Sequence, residues 1–208
     1  MSISIAGCAA PTQGNHAEHN AAVGGVVGGA AALALCKLSG RSNATCAMVG
    51  AAGAAGGAMI GWKQGKEQDL AEARTFAQQS QRQGLPVSVK TAEAVRKEPS
   101  DGSTEKTEAI RSVTLGPLLN DKIIANDPVW ASGIREIGRR AAVADGRERQ
   151  QIVANVTPAS RANVSKWLNE GVAQANTGRK IDIEFFDTKK IKETVIFYQP
   201  LDRSQFPT

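Results

Sequence analysis

Aromatic residues make up 4% of this 208-residue chain, with a single tyrosine among them, and there are only two histidines and three cysteines. Each shortage excludes something. A nucleic-acid-binding surface needs a dense basic stripe with exposed rings for stacking. A formal charge of +5, from 25 Lys/Arg against 20 Asp/Glu, does not make one, so no nucleic-acid partner is expected. His16 and His19 stand at i, i+3, a spacing that can seed a metal site on a helix. They are the only histidines, so no metal and no cofactor are expected. No cysteine follows Cys46, which leaves the C-terminal half without a thiol–imidazole pair for nucleophilic catalysis. Asp182, Glu184 and Asp187 alternate with apolar residues and read as the wet face of a strand rather than as a general-acid pair. The chain is not expected to be an enzyme. A phosphate-binding glycine loop fails too, because Gly65-Lys66 is followed by Glu67 and position 60 is Ile.

Charge is missing altogether from two long stretches. Ala21 to Leu38 carries none until Lys37, and Ala44 to Trp62 carries none at all. At the α-helical rise each would reach roughly 27–29 Å, close to a bilayer core. Ser39-Gly40-Arg41-Ser42-Asn43 between them is a turn by composition. The pair reads as a helical hairpin that enters and leaves a membrane on the same side. Trp62, beside Lys63 and Lys66, reads as an interfacial anchor.

Within these stretches glycine recurs with a period. Gly53, Gly57, Gly61 and Gly65 fall at every fourth position, and Gly24/Gly28 and Gly25/Gly29 form two overlapping pairs, the first extended by Ala32 and Cys36. A four-residue spacing places these positions on one helix face. Glycine costs a helix about 0.8–1.0 kcal/mol against alanine, so its repetition calls for close backbone packing, as small-xxx-small faces provide in membranes. Gly24, Gly28, Gly53, Gly57, Gly61 and Gly65 are the expected helix-packing residues. The stretches are rich in Ala and Gly and poor in Leu, Ile and Phe, so a lone helix of this kind would insert weakly. The expectation is a homo-oligomer whose copies pack their glycine faces in membrane lipid. Cys36 and Cys46, with nine residues between them, sit at the loop-facing ends and are placed to staple the turn in an oxidising compartment, contributing roughly 2–3 kcal/mol.

The rest of the chain changes character. Thr12 to Asn20 is polar and turn-prone. Gln68 to Gln83 is a polar helix with a thin apolar stripe, stopped by Gly84-Leu85-Pro86. From Val87 the pattern alternates: a strand at Val87–Thr91, another at Ala109–Leu115, and a turn-rich link at 97–103, together a hairpin. A short strand is expected through Ile123 and Ile124. Asp127-Pro128 opens a helix to about Ala144, Gln151–Val156 is a strand, and Thr157-Pro158 opens a helix ended by Gly178. Strands follow at Lys180–Phe186 and Thr194–Tyr198. The fold class is α+β: a glycine-zipper helical hairpin followed by a mixed α/β sheet domain. The divisions are 1–20, an N-terminal tether; 21–65, the hairpin; 66–84, a connecting helix; and 85–208, the sheet domain.

Ile5-Ala6-Gly7-Cys8 resembles a bacterial lipobox, which implies lipidation at Cys8. Only seven residues precede that cysteine, fewer than a signal peptide needs, so an upstream start is expected. The order of lipobox, glycine hairpin, polar helix and βαβ-type domain resembles the glycine-zipper outer-membrane lipoproteins, on Gly53-Ala54-Ala55-Gly56-Gly57-Ala58-Met59-Ile60-Gly61-Trp62 and the helix after it. Some of these carry an OmpA-like peptidoglycan-associating domain. The stretch Ser160-Arg161-Ala162-Asn163-Val164-Ser165-Lys166-Trp167-Leu168-Asn169-Glu170-Gly171-Val172 is similar to that domain's ligand-binding helix. Pro158 falls where the family's aspartate would be, so Arg161 alone is carried over. The resemblance implies an outer-membrane location with the C-terminal domain periplasmic, and a structural role in envelope integrity or in a secretion or motility assembly, with other envelope proteins or peptidoglycan as partners. A pore-forming or membrane-active protein and a peptidoglycan-binding module stand as the alternatives.

Overall fold

The computed structural model describes residues 16–97, 102, 104–144, 149–187 and 193–200. Cys8 lies outside the described residues. Two helices come first: α1 (His16–Leu38) and α2 (Asn43–Arg82). Ser42 caps α2, its hydroxyl accepting from the Thr45 amide at 3.3 Å. The polar helix expected to lead out of the hairpin is continuous with the second apolar stretch, so α2 runs 40 residues without a break. It stops where Gly84 takes φ +80° and the Leu85 amide reaches back to the Ser80 carbonyl at 2.9 Å.

Among the described residues five strands follow: β1 (Val87–Lys97), β2 (Thr104–Leu119), β3 (Gln150–Val156), β4 (Asp182–Asp187) and β5 (Glu193–Pro200). Their order in one sheet is β1-β2-β5-β3-β4. β1 and β2 form a long antiparallel hairpin, and β5 lies antiparallel between β2 and β3. β3 and β4 are parallel and are joined across α5 (Pro158–Gln174), as a parallel pair requires. α4 (Pro128–Ala144) packs against α5. There the backbones touch: a Cβ added at Gly138 would strike the Leu168 carbonyl, and one at Gly171 the Arg135 carbonyl. The α+β class is the one observed.

One strand expectation is corrected. The segment through Ile123 and Ile124 is a short helix, α3 (Asn120–Ile124), rather than a strand. Its polar ends are tied down by side chains of other elements. Asn120 Oδ1 accepts from Ser160 Oγ at 3.0 Å and from Thr194 Oγ1 at 2.8 Å, and the Ile123 carbonyl accepts from Asn163 Nδ2 at 2.9 Å. A single helical turn puts Ile123 fully inside while Ile124 stays half exposed.

The core lies between the sheet and helices α2, α4 and α5. Leu115, Leu118, Ile134, Ile137, Ile152, Leu168 and Ile196 are fully buried there. Ala73, Phe76 and Ala77 of α2 belong to the same cluster. The lower part of α2 is therefore wall of the sheet domain, while its upper part pairs with α1.

Candidate functional site: the glycine hairpin and its base

α1 and α2 meet along the glycine ridges. A Cβ added at Gly24 would strike the Gly57 carbonyl, and one at Gly57 the Gly24 carbonyl. Gly28 and Gly53 face each other's carbonyls in the same reciprocal way. Further down, Gly61 faces the Asn20 carbonyl and Gly65 the backbone at His16–Ala17. Where a Cβ would point at an oxygen, glycine instead points a Cα–H, and such contacts contribute about 0.5–1 kcal/mol each. All six expected packing glycines thus lie in one contact, and that contact is between the two helices of a single chain. Gly56, on the same helix, faces open space.

The tip of the hairpin is closed by a Cys36–Cys46 disulfide, with Cα atoms 5.4 Å apart. Both cysteines are buried.

The base is closed by polar groups. The Asp69 carboxylate of α2 accepts from the backbone amides of His16 at 2.9 Å and Ala17 at 3.4 Å, the first residues of α1. These amides have no partner within their own helix, and a carboxylate there meets the positive end of the helix dipole. His16 Nε2 lies 2.7 Å from Glu72 Oε1, and Asn20 Nδ2 donates to Gln68 Oε1 at 2.9 Å. This cap explains why 16–20, turn-prone by composition, are helical. Gln68, Asp69 and Glu72 were not singled out by sequence reasoning. Their i, i+1, i+4 spacing on a polar helix is ordinary, and only the hairpin geometry brings them to the start of α1.

Trp62 departs from its expected place. It is 6% exposed, packed with Ala17, Ala21, Ala94 and Ala109 rather than facing lipid. The β1–β2 hairpin lies against the helices here, and two alanines in its strands leave room for the indole. Alanine is depleted in strands, which is the signal that was available. The Arg96 guanidinium of β1 sits 6.0 Å from the Trp62 ring centroid, and Lys63 Nζ lies 3.9 Å from Glu105 Oε2 of β2.

Above Trp62 a groove of about 960 Å³ runs along one flank of the hairpin. Gly25 and Gly29 of α1 and Ala54 and Ala58 of α2 form its floor, Leu33 its far wall, and Trp62 with Arg96 its lower end. The opposite flank carries Val27, Val49 and Ile60, exposed and outside this groove.

In the sheet domain, Arg161 stands at the start of α5. Its Nη1 donates to Asp187 Oδ2 at 2.6 Å, and its guanidinium lies 5.2 Å from the Phe185 ring. The group facing Arg161 is thus an acid of its own chain. His16 and His19 are not joined by other ligating groups: no cluster of three or more His, Cys, Asp or Glu that could hold a metal occurs among the described residues.

Compared with protein-family models, with curated proteins and with solved structures, the chain matches none.

Proposed function

We propose that this is a structural protein of the bacterial outer membrane, held by a stapled helical hairpin and, at Cys8, by lipid, with its sheet domain in the periplasm. The observation that carries the reading is the hairpin's distribution of surface. Both α1 and α2 contain windows long and apolar enough to cross a membrane. Val26, Val27, Leu35, Met48 and Ile60, at 59–75% exposed, point outward from a contact made of glycine backbone. That arrangement is wasteful in water, where large apolar patches invite association, and suits a lipid solvent, where helices touch through small residues. A disulfide at the tip fits an oxidising compartment.

Several copies acting together remain part of the proposal. Since α1 fills the glycine ridge of α2 within one chain, copies would meet through the Val27, Val49 and Ile60 flank. A pore loses its main support for the same reason, because the glycine faces close on each other rather than around a lumen. The role is then mechanical: a rigid domain fixed to the membrane for envelope integrity or as the membrane element of a larger assembly. The test is extraction from the producing bacterium followed by native mass measurement in mild detergent. Release by alkaline carbonate, or a monomer without a lipid adduct, contradicts the reading. Retention in the outer-membrane fraction as an oligomer with a mass increment on Cys8 supports it.

A further inference from the structure

We propose that the flank groove is a seat for one phospholipid with an anionic headgroup, its acyl chain lying over Gly25, Gly29, Ala54 and Ala58 and its phosphate paired with Arg96. The inference rests on the reading of the hairpin as membrane-spanning. Three features point to this occupant.

The first is shape. The floor is sealed, because positions 25 and 29 already lie against Ala54 and Ala58, so the groove is a surface channel rather than a gap that a helix shift would close. The second is length. From Ala21 to Leu33 along α1 is about 18 Å, close to one leaflet's share, roughly 15 Å, of a bilayer core. An acyl chain fits that depth, whereas a crossing helix would run past Leu33. The third is charge. The groove is apolar except at its lower end, where Arg96 lines it beside Trp62. Among the described residues no carboxylate pairs with Arg96; Glu105, opposite it in the β1–β2 register, is the partner of Lys63. Arg96 is thus a cation at the depth where Trp62 ends the uncharged span, which is headgroup level. Arginine is the residue suited to bidentate phosphate recognition.

The test uses the full chain reconstituted into vesicles, with Trp130 and Trp167 replaced by Phe so that Trp62 is the only indole. Quenching is compared between brominated phosphatidylglycerol and brominated phosphatidylcholine. The expected result is stronger quenching by the anionic lipid, with apparent affinity for it about fivefold higher, the factor one basic residue near an anionic lipid surface contributes. Arg96→Gln removes the preference and Arg96→Lys keeps most of it. Ala54→Leu with Ala58→Leu fills the groove and weakens quenching by both lipids. Equal quenching by both lipids, or a preference that survives Arg96→Gln, overturns the seat. So does a dimer without retained lipid that Ala58→Leu dissociates, since the groove would then hold a second copy. A chain that fails to float with the vesicles at all overturns the membrane reading instead, which separates the two failures. The Cys36–Cys46 bond and unchanged circular dichroism report that each variant is folded.

Discussion

Gly24 and Gly57 face each other's carbonyl oxygens across the hairpin, each with its Cα–H where any other residue would carry a side chain. The relation is reciprocal and repeated one turn on by Gly28 and Gly53. It accounts for a composition that is otherwise costly, since each of these glycines weakens its own helix by about 0.8–1.0 kcal/mol.

Gly57→Ala therefore puts a methyl into a backbone carbonyl that cannot swing aside as a side chain would. The helices must part, at a cost of about 1–3 kcal/mol for overpacking. Gly56→Ala is the matched control, because nothing lies within 4 Å of the added carbon, and it gains up to about 1 kcal/mol from helix propensity. Thermal unfolding in detergent, followed by circular dichroism, should move the two variants in opposite directions. Equal effects would remove the ridge as the reason for the glycines.

Cys36 and Cys46 close a short loop at the opposite end from Asp69. Reduction, or Cys36→Ser with Cys46→Ser, is expected to lower hairpin stability by roughly 2–3 kcal/mol without changing the sheet domain. The readout is a shift between reducing and non-reducing gels, with protease cleavage confined to 39–42 after reduction. Cleavage appearing first in the strands would contradict the assignment of the bond to the hairpin alone.

Asp69→Ala takes the cap from the first turn of α1 and leaves the His16 and Ala17 amides without the carboxylate they now share. Loss of a cap costs about 1 kcal/mol, and here it falls on a helix end. Hydrogen exchange at residues 16–20 should quicken by about fivefold, with residues 24–36 unchanged. Uniform quickening along α1 would mean that Asp69 holds the whole hairpin together rather than its start.

Much of the hairpin was legible in the sequence because absence of charge and a four-residue glycine period are local properties. What the period does not carry is the identity of the partner. A ridge predicts a close contact, and the same spacing serves a neighbouring copy or the preceding helix; chain geometry puts α1 there. The strands expected at Gln151–Val156 and Thr194–Tyr198 are present as β3 and β5, but the insertion of β5 between β2 and β3 is a long-range choice with no local signature. Ile123-Ile124 misled because two adjacent β-branched residues suit a strand, and the tie from Asn120 to Ser160 and Thr194 spans 40 and 74 residues. Trp62 beside two lysines has the composition of a membrane anchor, and nothing near it in the chain announces Ala94 and Ala109.

Glu136 gives the sheet domain a pH signature away from the hairpin. Burial by itself pushes its carboxyl up, but the hydrogen bond from Arg139 and the charges of Arg140 and Arg139 outweigh burial and hold it below the ordinary glutamate value. Arg139 Nη2 and Arg140 Nε each lie 2.7 Å from Glu136 Oε1, and Arg140 also covers the Phe76 ring at 4.4 Å, joining α4 to α2. Because the folded value is depressed, the unfolded chain binds this proton more readily. The contribution is therefore complete well above the unfolded value of about 4.3, and it is lost as pH falls through that value towards the folded one. With about a quarter of the Glu136 and Arg139 side chains still wet, its size is on the order of 1 kcal/mol. Wild type should lose stability between about pH 5 and pH 3 more steeply than Glu136→Gln, measured by denaturant midpoint at each pH. Parallel curves for the two proteins would show that the arginine pair gives Glu136 no preference for its charged form.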